Sequence, residues 1–168
     1  MTGATGKQGG ALIRALLQPT TSNSTTKYHV YALTRKASSP TARRLLATHG
    51  TANLTIVEGD LEDSSSMTAI FEAAKLDSGS ADTEAGIWGV FAVMAFPGLG
   101  ASAEGEERQG KILADVALEY GVKAYVYSSA LRAGPKHEDQ IDGKASWVAK
   151  RNIEVHCQEL GMRGLPWM

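Results

Sequence analysis

A chain of 168 residues is long enough for one domain with a real hydrophobic core. Its formal net charge of −1 argues against direct binding of nucleic acid, and no apolar run approaches the ~18 residues of a membrane span. The single cysteine, Cys157, has no partner for an internal disulfide, which favours a cytoplasmic location and leaves a nuclear one open. The four histidines are scattered without ligand spacing, so no metal site is predicted.

The chain opens with a glycine-rich turn, TGATGKQGG, that runs into a helix pattern predicted from about Lys7 to Gln18. Gly3, Gly6 and Gly9 are spaced so that the backbone can turn sharply, approach a phosphate and pack a helix closely on a sheet. The helix directs free N–H groups and the positive end of its dipole toward the turn, which suits a pyrophosphate. A helix start that merely uses glycines is the alternative interpretation.

The rest of the chain alternates between short β-rich runs and helical patterns. Strands are predicted at residues 28–34, 54–57, 87–96 and 124–128, with helices after each of them, and residues 20–27 and 77–86 are interpreted as polar surface insertions. The helix after the first of these strands is predicted at residues 41–49, with a start at Ser38, Ser39 and Pro40 and an end at Gly50. The run 87–96 is almost entirely apolar, which predicts a strand buried on both faces. Strands separated by helices predict an α/β fold of the Rossmann type, a doubly wound parallel sheet in one domain over residues 1–168.

Both ends of the sequence depart from this pattern. Such a glycine turn should follow a strand, yet only Met1 and Thr2 precede Gly3, and the chain ends at Met168, where a sixth strand should begin. A missing central strand would leave ladder groups of its neighbours unpaired. We therefore expect the first strand and the C-terminal substrate or partner region to be missing, so that the chain as written folds poorly or binds cofactor weakly.

Six segments, in order, resemble the NmrA-like family, whose members are atypical short-chain dehydrogenase/reductase relatives common in fungi: TGATGKQGG, LTRK, VEGDLED, IWGVFAV, EERQGKILADVALEYGVKAYVYSSA and AKRNIEVHCQELG. The resemblance covers most of the chain and implies an NAD(P)-binding Rossmann domain. The best-known members bind NAD(P) without obvious turnover and act as redox sensors or as negative regulators of transcription through a protein partner. Other relatives are reductases of the isoflavone reductase-like and quinone reductase-like kinds.

The resemblance assigns Gly3, Gly6 and Gly9 to the loop that holds the pyrophosphate of the dinucleotide. It also implies phosphate contacts for three neighbours in the same turn, with the last of them toward the nicotinamide: Thr5, Lys7 and Gln8.

Arg35 directly follows the strand predicted at residues 28–34, where dinucleotide folds contact the adenosine ribose. An acid there binds the free 2′-OH of NAD, whereas a cation pairs with the 2′-phosphate of NADP. Thr34, Arg35 and Lys36 include no acid, and a guanidinium pairs with phosphate in a planar, bidentate manner. The segment favours NADP, with NAD possible, and two solvated surface cations are the alternative.

Three further residues follow predicted strands. The resemblance places Asp60 and Leu61 beside the adenine ring, with Asp60 accepting a hydrogen bond from its amine; a helix-capping loop is the alternative for Asp60. Phe96, at the end of the apolar run, packs either on the cofactor or in the core. The remaining conspicuous side chains are interpreted as packing residues without chemistry: Trp88, Trp147 and Cys157.

Catalysis in the enzymatic relatives depends on a tyrosine that supplies the proton, a lysine four residues later that holds the nicotinamide ribose, and a serine near the position of Ser128 and Ser129. Lys150 lies in the matching segment, but Ser146 stands where the tyrosine should be. A serine hydroxyl is a much poorer acid than a phenol of pKa ~10. No catalytic residue is therefore predicted, and Lys150 is interpreted as a cofactor-binding lysine or, alternatively, as a plain surface lysine.

These features predict an NADP(H)-binding redox sensor or regulator that works without turnover, with a dinucleotide ligand and, by resemblance, a regulatory protein partner. The alternative is an NADPH-dependent reductase of a small carbonyl or quinone. A structural remnant without any ligand is the third hypothesis.

Overall fold

Helices and parallel strands alternate through the computed structural model, which describes residues 1–18, 28–77, 86–95, 98, 101–130 and 145–168. Their bounds are α1 (Lys7–Leu17), β1 (Val30–Thr34), α2 (Pro40–His49), β2 (Leu54–Glu58), α3 (Ser64–Asp77), β3 (Gly89–Ala92), α4 (Glu104–Glu119), β4 (Ala124–Tyr127) and α5 (Ala145–Gly161). The order confirms the predicted alternation. The predicted insertion at residues 20–27, most of that at 77–86, and Phe96 lie outside the described residues.

The chain divides into two compact units, Met1–Asp60 and Leu61–Met168. Each unit contains a two-stranded parallel sheet whose strands are joined through a helix, β1-α2-β2 in the first and β3-α4-β4 in the second. Both are β-α-β units, the building block of the Rossmann-type fold. In the described residues the strands therefore pair as two parallel sheets of two strands, one in each unit.

In the first unit, β1 and β2 pair along their whole length, from Val30 opposite Leu54 to Thr34 opposite Glu58. A core of small and branched apolar side chains is buried with this sheet, and it consists of Ala4, Ile13, Val30, Ala32 and Leu54. The apolar residues come from the start of the chain, from α1 and from both strands, so the glycine turn is anchored to the sheet by the hydrophobic effect.

Met1 adds one residue of ladder to the free edge of β1. Its amino group donates to the carbonyl oxygen of Tyr31 at 2.6 Å, and its own carbonyl oxygen accepts from the N–H of Leu33 at 2.9 Å. These two bonds bracket Ala32, as in a parallel pair. Met1 is thus hydrogen-bonded alongside β1, although it belongs to none of the named strands.

The ends of α2 follow the sequence signals. Ser39 is the N-cap and accepts a hydrogen bond from the N–H of Ala42 at 3.2 Å, and Pro40 occupies the first helical position, where its missing N–H costs nothing. Gly50 ends the helix with φ at +75°, a conformation that favours glycine. The predicted helix and both of its boundaries are confirmed to within one residue.

In the second unit, the last residues of the chain extend the sheet beyond β4. The N–H of Tyr125 donates to the carbonyl oxygen of Pro166 at 2.8 Å, and the N–H of Tyr127 donates to that of Met168 at 3.0 Å. Tyr125 and Trp167 form a parallel bridge. Residues 166–168 thus lie hydrogen-bonded beside β4, at the place where the sequence analysis expected a sixth strand.

The prediction of a long strand at residues 87–96, buried on both faces, is wrong. Among the described residues of this run, 87–95, only Gly89–Ala92 form a strand; Val90 and Ala92 are buried, whereas Gly89 is exposed and Phe91 half-buried. Trp88 is 64% exposed, so its interpretation as a packing residue is also wrong. Among the described residues, β3 has a ladder partner on one side only, so its apolar composition does not translate into burial on both faces.

Helices α4 and α5 approach closely because position 110 has no side chain. A Cβ built on Gly110 would lie 2.5 Å from Cδ1 and 2.7 Å from Cγ1 of Ile153, which is fully buried. Both distances are far below ordinary van der Waals contact, so a larger residue would force the two helices apart or push Ile153 out of its rotamer.

Gly110→Ala should therefore lower the free energy of unfolding, measured by urea denaturation. Overpacking costs about 1–3 kcal/mol, and better helix propensity returns roughly 1 kcal/mol, so a net loss of about 1 kcal/mol is expected. Gly105→Ala is the control on the same helix, since its new Cβ would meet only the flexible carboxyl end of Glu62, at 3.1 Å. Equal stabilisation by both substitutions would contradict the close contact.

Candidate functional site

The glycine turn has the geometry that close backbone approach requires. Gly3 adopts φ +60°, and its carbonyl oxygen accepts the N–H of Gly6 at 2.9 Å. A Cβ on Gly9 would lie 2.3 Å from the Gly3 oxygen and 2.7 Å from Cα of Ala4. The backbone thus favours glycine at position 3 and leaves no room for a Cβ at position 9. Gly6 has φ −86°, which any residue can adopt, but its Cβ would lie 3.2 Å from the Gly3 oxygen, a tight contact.

The N-terminus of α1 is free of side-chain caps and acidic groups. Its N-cap, Gly6, has no side chain that could satisfy N–H groups of the first turn, and no acidic residue lies in that turn. Lys7 stands at the positive end of the helix dipole, where a cation is unfavourable unless an anion is near. The turn residues Gly3, Thr5 and Gln8 are exposed, so the geometry fits a phosphate group at this end.

Arg35 and Lys36 follow β1 and are both exposed. Arg35 makes no ion pair with the part of the chain that the structure describes. The backbone beside it is fixed, because the N–H of Ala37 donates to Oε2 of Glu58 at 2.8 Å. A free guanidinium on a fixed turn is available to an external anion.

Sequence reasoning missed Glu58. It pairs in register with Thr34, so it lies at the end of the strand next to the predicted ribose-recognition segment. One of its carboxylate oxygens is engaged by the backbone N–H of Ala37. The carboxylate therefore holds the turn that carries Arg35. Residues 34–36 themselves still contain no acid.

Asp60 is exposed and Leu61 half-buried in the loop between β2 and α3. The helix is capped by Asp63 instead of Asp60: Oδ1 of Asp63 accepts from the N–H of Ser65 at 2.9 Å and from its hydroxyl at 2.6 Å. The Ser65 hydroxyl and N–H hold the pKa of Asp63 below its usual value. Asp63 therefore caps the helix, and the role of Asp60 beside an adenine stays a prediction.

A second group of polar residues surrounds a buried carboxylate in the second unit. Glu106 on α4 has a fully buried side chain, and its Oε1 lies 2.5 Å from Nζ of Lys150 on α5. The other oxygen, Oε2, accepts a hydrogen bond from the hydroxyl of Ser146 at 2.6 Å. Since the side chain of Lys150 is only 18% exposed, its interpretation as a plain surface lysine is wrong.

Tyr127, at the end of β4, is the tyrosine beside this lysine. Nζ of Lys150 lies 5.9 Å from the centre of its ring, within the range of a cation–π contact. The hydroxyl of Tyr127 is buried without a hydrogen-bond partner among the described residues, and burial raises its pKa well above the ordinary value. A phenol in this state is poorly suited to donate a proton to a bound substrate.

The polar residues of α5 continue along one face of the helix. Ser146, Lys150 and Glu154 are four residues apart, and Glu154 accepts a hydrogen bond from the hydroxyl of Ser129, just after β4. The sequence had singled out Ser129 only as a candidate to polarise a substrate. Its hydroxyl is directed at Glu154 instead.

Sequence reasoning missed Glu106, although a signal for it was present. Glu106 lies in register with Gly110, Leu113 and Ala117, the buried stripe of α4. A carboxylate at a core position needs a cationic partner, because burying an isolated charge is prohibitively costly. Lys150, in the same stripe of α5 as Ile153, was the matching cation.

Cys157 is fully buried on α5, and burial raises its thiol pKa to about 11. This confirms its interpretation as a packing residue, since a neutral buried thiol is a poor nucleophile. Within the described ranges, no group of three or more metal-ligating side chains converges. None of the described helices is long and apolar enough to cross a membrane.

Solved structures share this fold across nearly the whole chain. Triphenylmethane reductase of Citrobacter sp. superposes with a TM-score of 0.65 at 18% identity, over 99% of this chain and 45% of that one. The NADPH-dependent quinone oxidoreductase QOR2 of Escherichia coli, solved with NADPH, gives a TM-score of 0.63 at 20% identity, over 99% and 45%. WbmG of Bordetella bronchiseptica, solved with NAD, gives 0.67 at 18%, over 99% and 49%. The architecture is therefore Rossmann-type, as predicted.

The NmrA-like family model matches residues 1–165. An NmrA-like family domain-containing oxidoreductase of Aspergillus flavus, lnaB, is 30% identical over 165 residues, which are 95% of this chain and 41% of the relative. A second one, hkm9 of Aspergillus hancockii, is 32% identical over 164 residues, 93% of this chain and 40% of the relative. The chain belongs to the NmrA-like family and spans about two-fifths of the length of these relatives.

Gly9→Ala should destabilise the first unit, because its Cβ would overlap backbone atoms of Gly3 and Ala4 that cannot rotate away. We expect a loss of about 1–3 kcal/mol in the free energy of unfolding. Gly10→Ala is the matched control: it lies next in the same helix, and its Cβ would be 3.9 Å from the nearest atom, the Ala4 oxygen. Thermal melting of both variants measures the difference, and equal melting temperatures would contradict the tight turn.

Proposed function

We propose that this chain is an NADP(H)-binding redox sensor or regulator that does not turn its cofactor over. The observation that carries the proposal is the N-terminus of α1, which is exposed, uncapped by any side chain and packed on the Gly3 turn without room for a Cβ at Gly9. Such an end binds phosphate through backbone N–H groups and the helix dipole. Membership of the NmrA-like family supports a dinucleotide as the source of that phosphate.

The proposal gives each candidate residue a distinct contact. Gly3, Gly6 and Gly9, with Thr5, Lys7 and Gln8, hold the pyrophosphate, and Asp60 and Leu61 bind the adenine. Arg35 pairs with the 2′-phosphate, and Lys150 donates hydrogen bonds to the nicotinamide ribose. Phe96 stays a proposed cofactor contact outside the described residues. When bound, the nicotinamide supplies or accepts a hydride, so its redox state is what a sensor of this kind would report.

The choice of NADP over NAD is supported by Arg35. It follows β1 without an ion pair to the described part of the chain, and residues 34–36 include no acid to bind a free 2′-OH. Fold neighbours are divided, since the Escherichia coli quinone oxidoreductase is described with NADPH and WbmG with NAD. NAD therefore stays possible as a weaker ligand.

The absence of turnover is supported by the surroundings of Lys150. Ser146 replaces the expected tyrosine, and its hydroxyl donates to Glu106. The nearby phenol, Tyr127, has a raised pKa because it is buried. Neither group is set up as a proton donor. A protein that binds the cofactor but lacks a proton donor is suited to regulation through a partner protein, and we propose this role for the chain in the cytoplasm or the nucleus.

The alternative is an NADPH-dependent reductase of a small carbonyl or quinone. It is favoured by the curated relatives, which are named oxidoreductases, and by fold neighbours that reduce quinones or triphenylmethane dyes.

Arg35→Gln should weaken NADPH more than NADH, because only NADPH carries the 2′-phosphate. Loss of a charge-assisted hydrogen bond costs about 1.5–3 kcal/mol, a tenfold or greater fall in the preference for NADPH. Calorimetric titration with both cofactors measures it. Lys36→Gln, the adjacent exposed cation, is the control and should change the preference little. Equal weakening of NADPH and NADH by Arg35→Gln would exclude a role in 2′-phosphate recognition.

The sensor and the reductase differ in cofactor consumption. The sensor should show no loss of NADPH absorbance with a panel of quinones, carbonyls and triphenylmethane dyes, although titration detects binding. Consumption that is abolished by Lys150→Met would identify the reductase and overturn the proposal. Failure to bind any nicotinamide dinucleotide would instead favour the structural remnant.

A further inference from the structure

Glu106 is a carboxylate buried in the contact between α4 and α5. Its side chain is completely buried between α4 and α5, where Gly110 and Ile153 bring the helices together. Burying a charge here costs several kcal/mol, which a single ion pair repays only when its geometry is good. For stability alone, an apolar residue at this position would do as well or better.

The two oxygens of Glu106 have separate partners on one face of α5. Oε1 is bonded to Nζ of Lys150 at 2.5 Å and Oε2 to the hydroxyl of Ser146 at 2.6 Å. Because two donors one helical turn apart hold the carboxylate, it cannot rotate without losing one of them. The carboxylate is therefore a fixed point that defines where the ammonium group of Lys150 lies.

The ammonium group of Lys150 uses one of its three N–H donors within the part of the chain that the structure describes, and that donor binds Glu106. The ring of Tyr127 lies nearby, 5.9 Å from Nζ to its centre. The side chain of Lys150 is 18% exposed, so it is not sealed in the core. Two of its N–H groups can therefore serve a ligand.

We propose that Glu106 is a positioning residue: together with Ser146, it fixes the ammonium group of Lys150 so that this group can bind the nicotinamide ribose hydroxyls. The inference rests on the proposed function of Lys150 in cofactor binding. It adds Glu106 of α4 to the residues of α5 that serve cofactor binding. It also assigns a role to Ser146, which replaces the missing tyrosine. Glu106 itself touches no cofactor and acts only through Lys150.

The chain offers a matched control for this proposal. Glu107, the next residue of α4, also joins α4 to α5: its carboxylate accepts from Lys111 at 2.6 Å and from Asn152 at 2.8 Å. Glu107→Gln and Glu106→Gln thus make the same charge change on the same helix, and both weaken a contact between the same two helices. Only Glu106 contacts Lys150.

The experiment compares NADPH with adenosine 2′,5′-bisphosphate, which carries the adenosine and 2′-phosphate but lacks the nicotinamide ribose. In calorimetric titrations, Glu106→Gln should weaken NADPH roughly tenfold or more and leave the bisphosphate within about twofold, because the loss is confined to the ribose contact of Lys150. Glu107→Gln should change neither affinity. In a Lys150→Met background, Glu106→Gln should have no further effect on NADPH, since the residue it positions is gone.

Distinct results would overturn the inference or the proposed function. If Glu106→Gln weakens both ligands alike, or adds its full effect to that of Lys150→Met, Glu106 is only structural and the inference fails while cofactor binding stands. If the unaltered chain binds neither ligand, the proposed function itself fails. Should Glu106→Gln not fold, Ser146→Ala keeps both charges and removes one anchor of the carboxylate; it should weaken NADPH selectively by a smaller factor, and an unchanged NADPH affinity would overturn the inference.

Discussion

The structure depends at two points on the same constraint, a backbone approach that leaves no room for a Cβ atom. Gly9 brings the start of α1 onto the Gly3 turn in the first unit, and Gly110 brings α4 onto Ile153 of α5 in the second. Close packing makes such contacts sensitive to a single methyl group. The uncapped start of α1 lies next to the first contact, and Glu106 lies one helical turn from Gly110 in the second. These polar groups therefore depend on a close approach that only glycine allows.

The two sites use charge in opposite ways. The end of α1 gathers positive potential at an exposed surface, where Lys7 and the helix dipole have no acidic counterpart in the first turn. The cluster around Glu106 is neutralised internally, with a buried carboxylate against one ammonium group. The first arrangement attracts a mobile anion. The second arrangement fixes the ammonium group of Lys150 and removes part of its hydration, which costs free energy. A functional role for this lysine would explain why such a cost is tolerated.

Much of the fold could be predicted from residue patterns because local signals were strong. The Ser39 cap, Pro40 and Gly50 defined α2, and the glycine spacing identified the turn before α1. The prediction for residues 87–96 was wrong because an apolar composition does not reveal how many strands will pair beside the segment. Trp88, for example, lies exposed. Burial of this kind depends on tertiary contacts, which the sequence of a single segment does not reveal.

The candidate site was predictable only in part, for a related reason. Lys150 was identified by its place in a motif, but Glu106, which lies forty-four residues away in sequence, became recognisable as its partner only once α4 and α5 were packed. Glu58 was likewise unremarkable until the register of β1 and β2 placed it beside Thr34. Ion pairs between residues far apart in sequence depend on how helices and strands pack. A charged residue on the apolar face of one helix indicates only that an oppositely charged partner is needed.

The pairing of β4 has a consequence for how motion is distributed in the second unit. β4 is bonded to β3 on one side and to residues 166–168 on the other, so its amides exchange with solvent only when one of these ladders opens. Tyr127, at the end of this strand, lies beneath the ammonium group of Lys150. The aromatic ring next to the ammonium group of Lys150 therefore belongs to a strand that is held by hydrogen bonds on both of its edges.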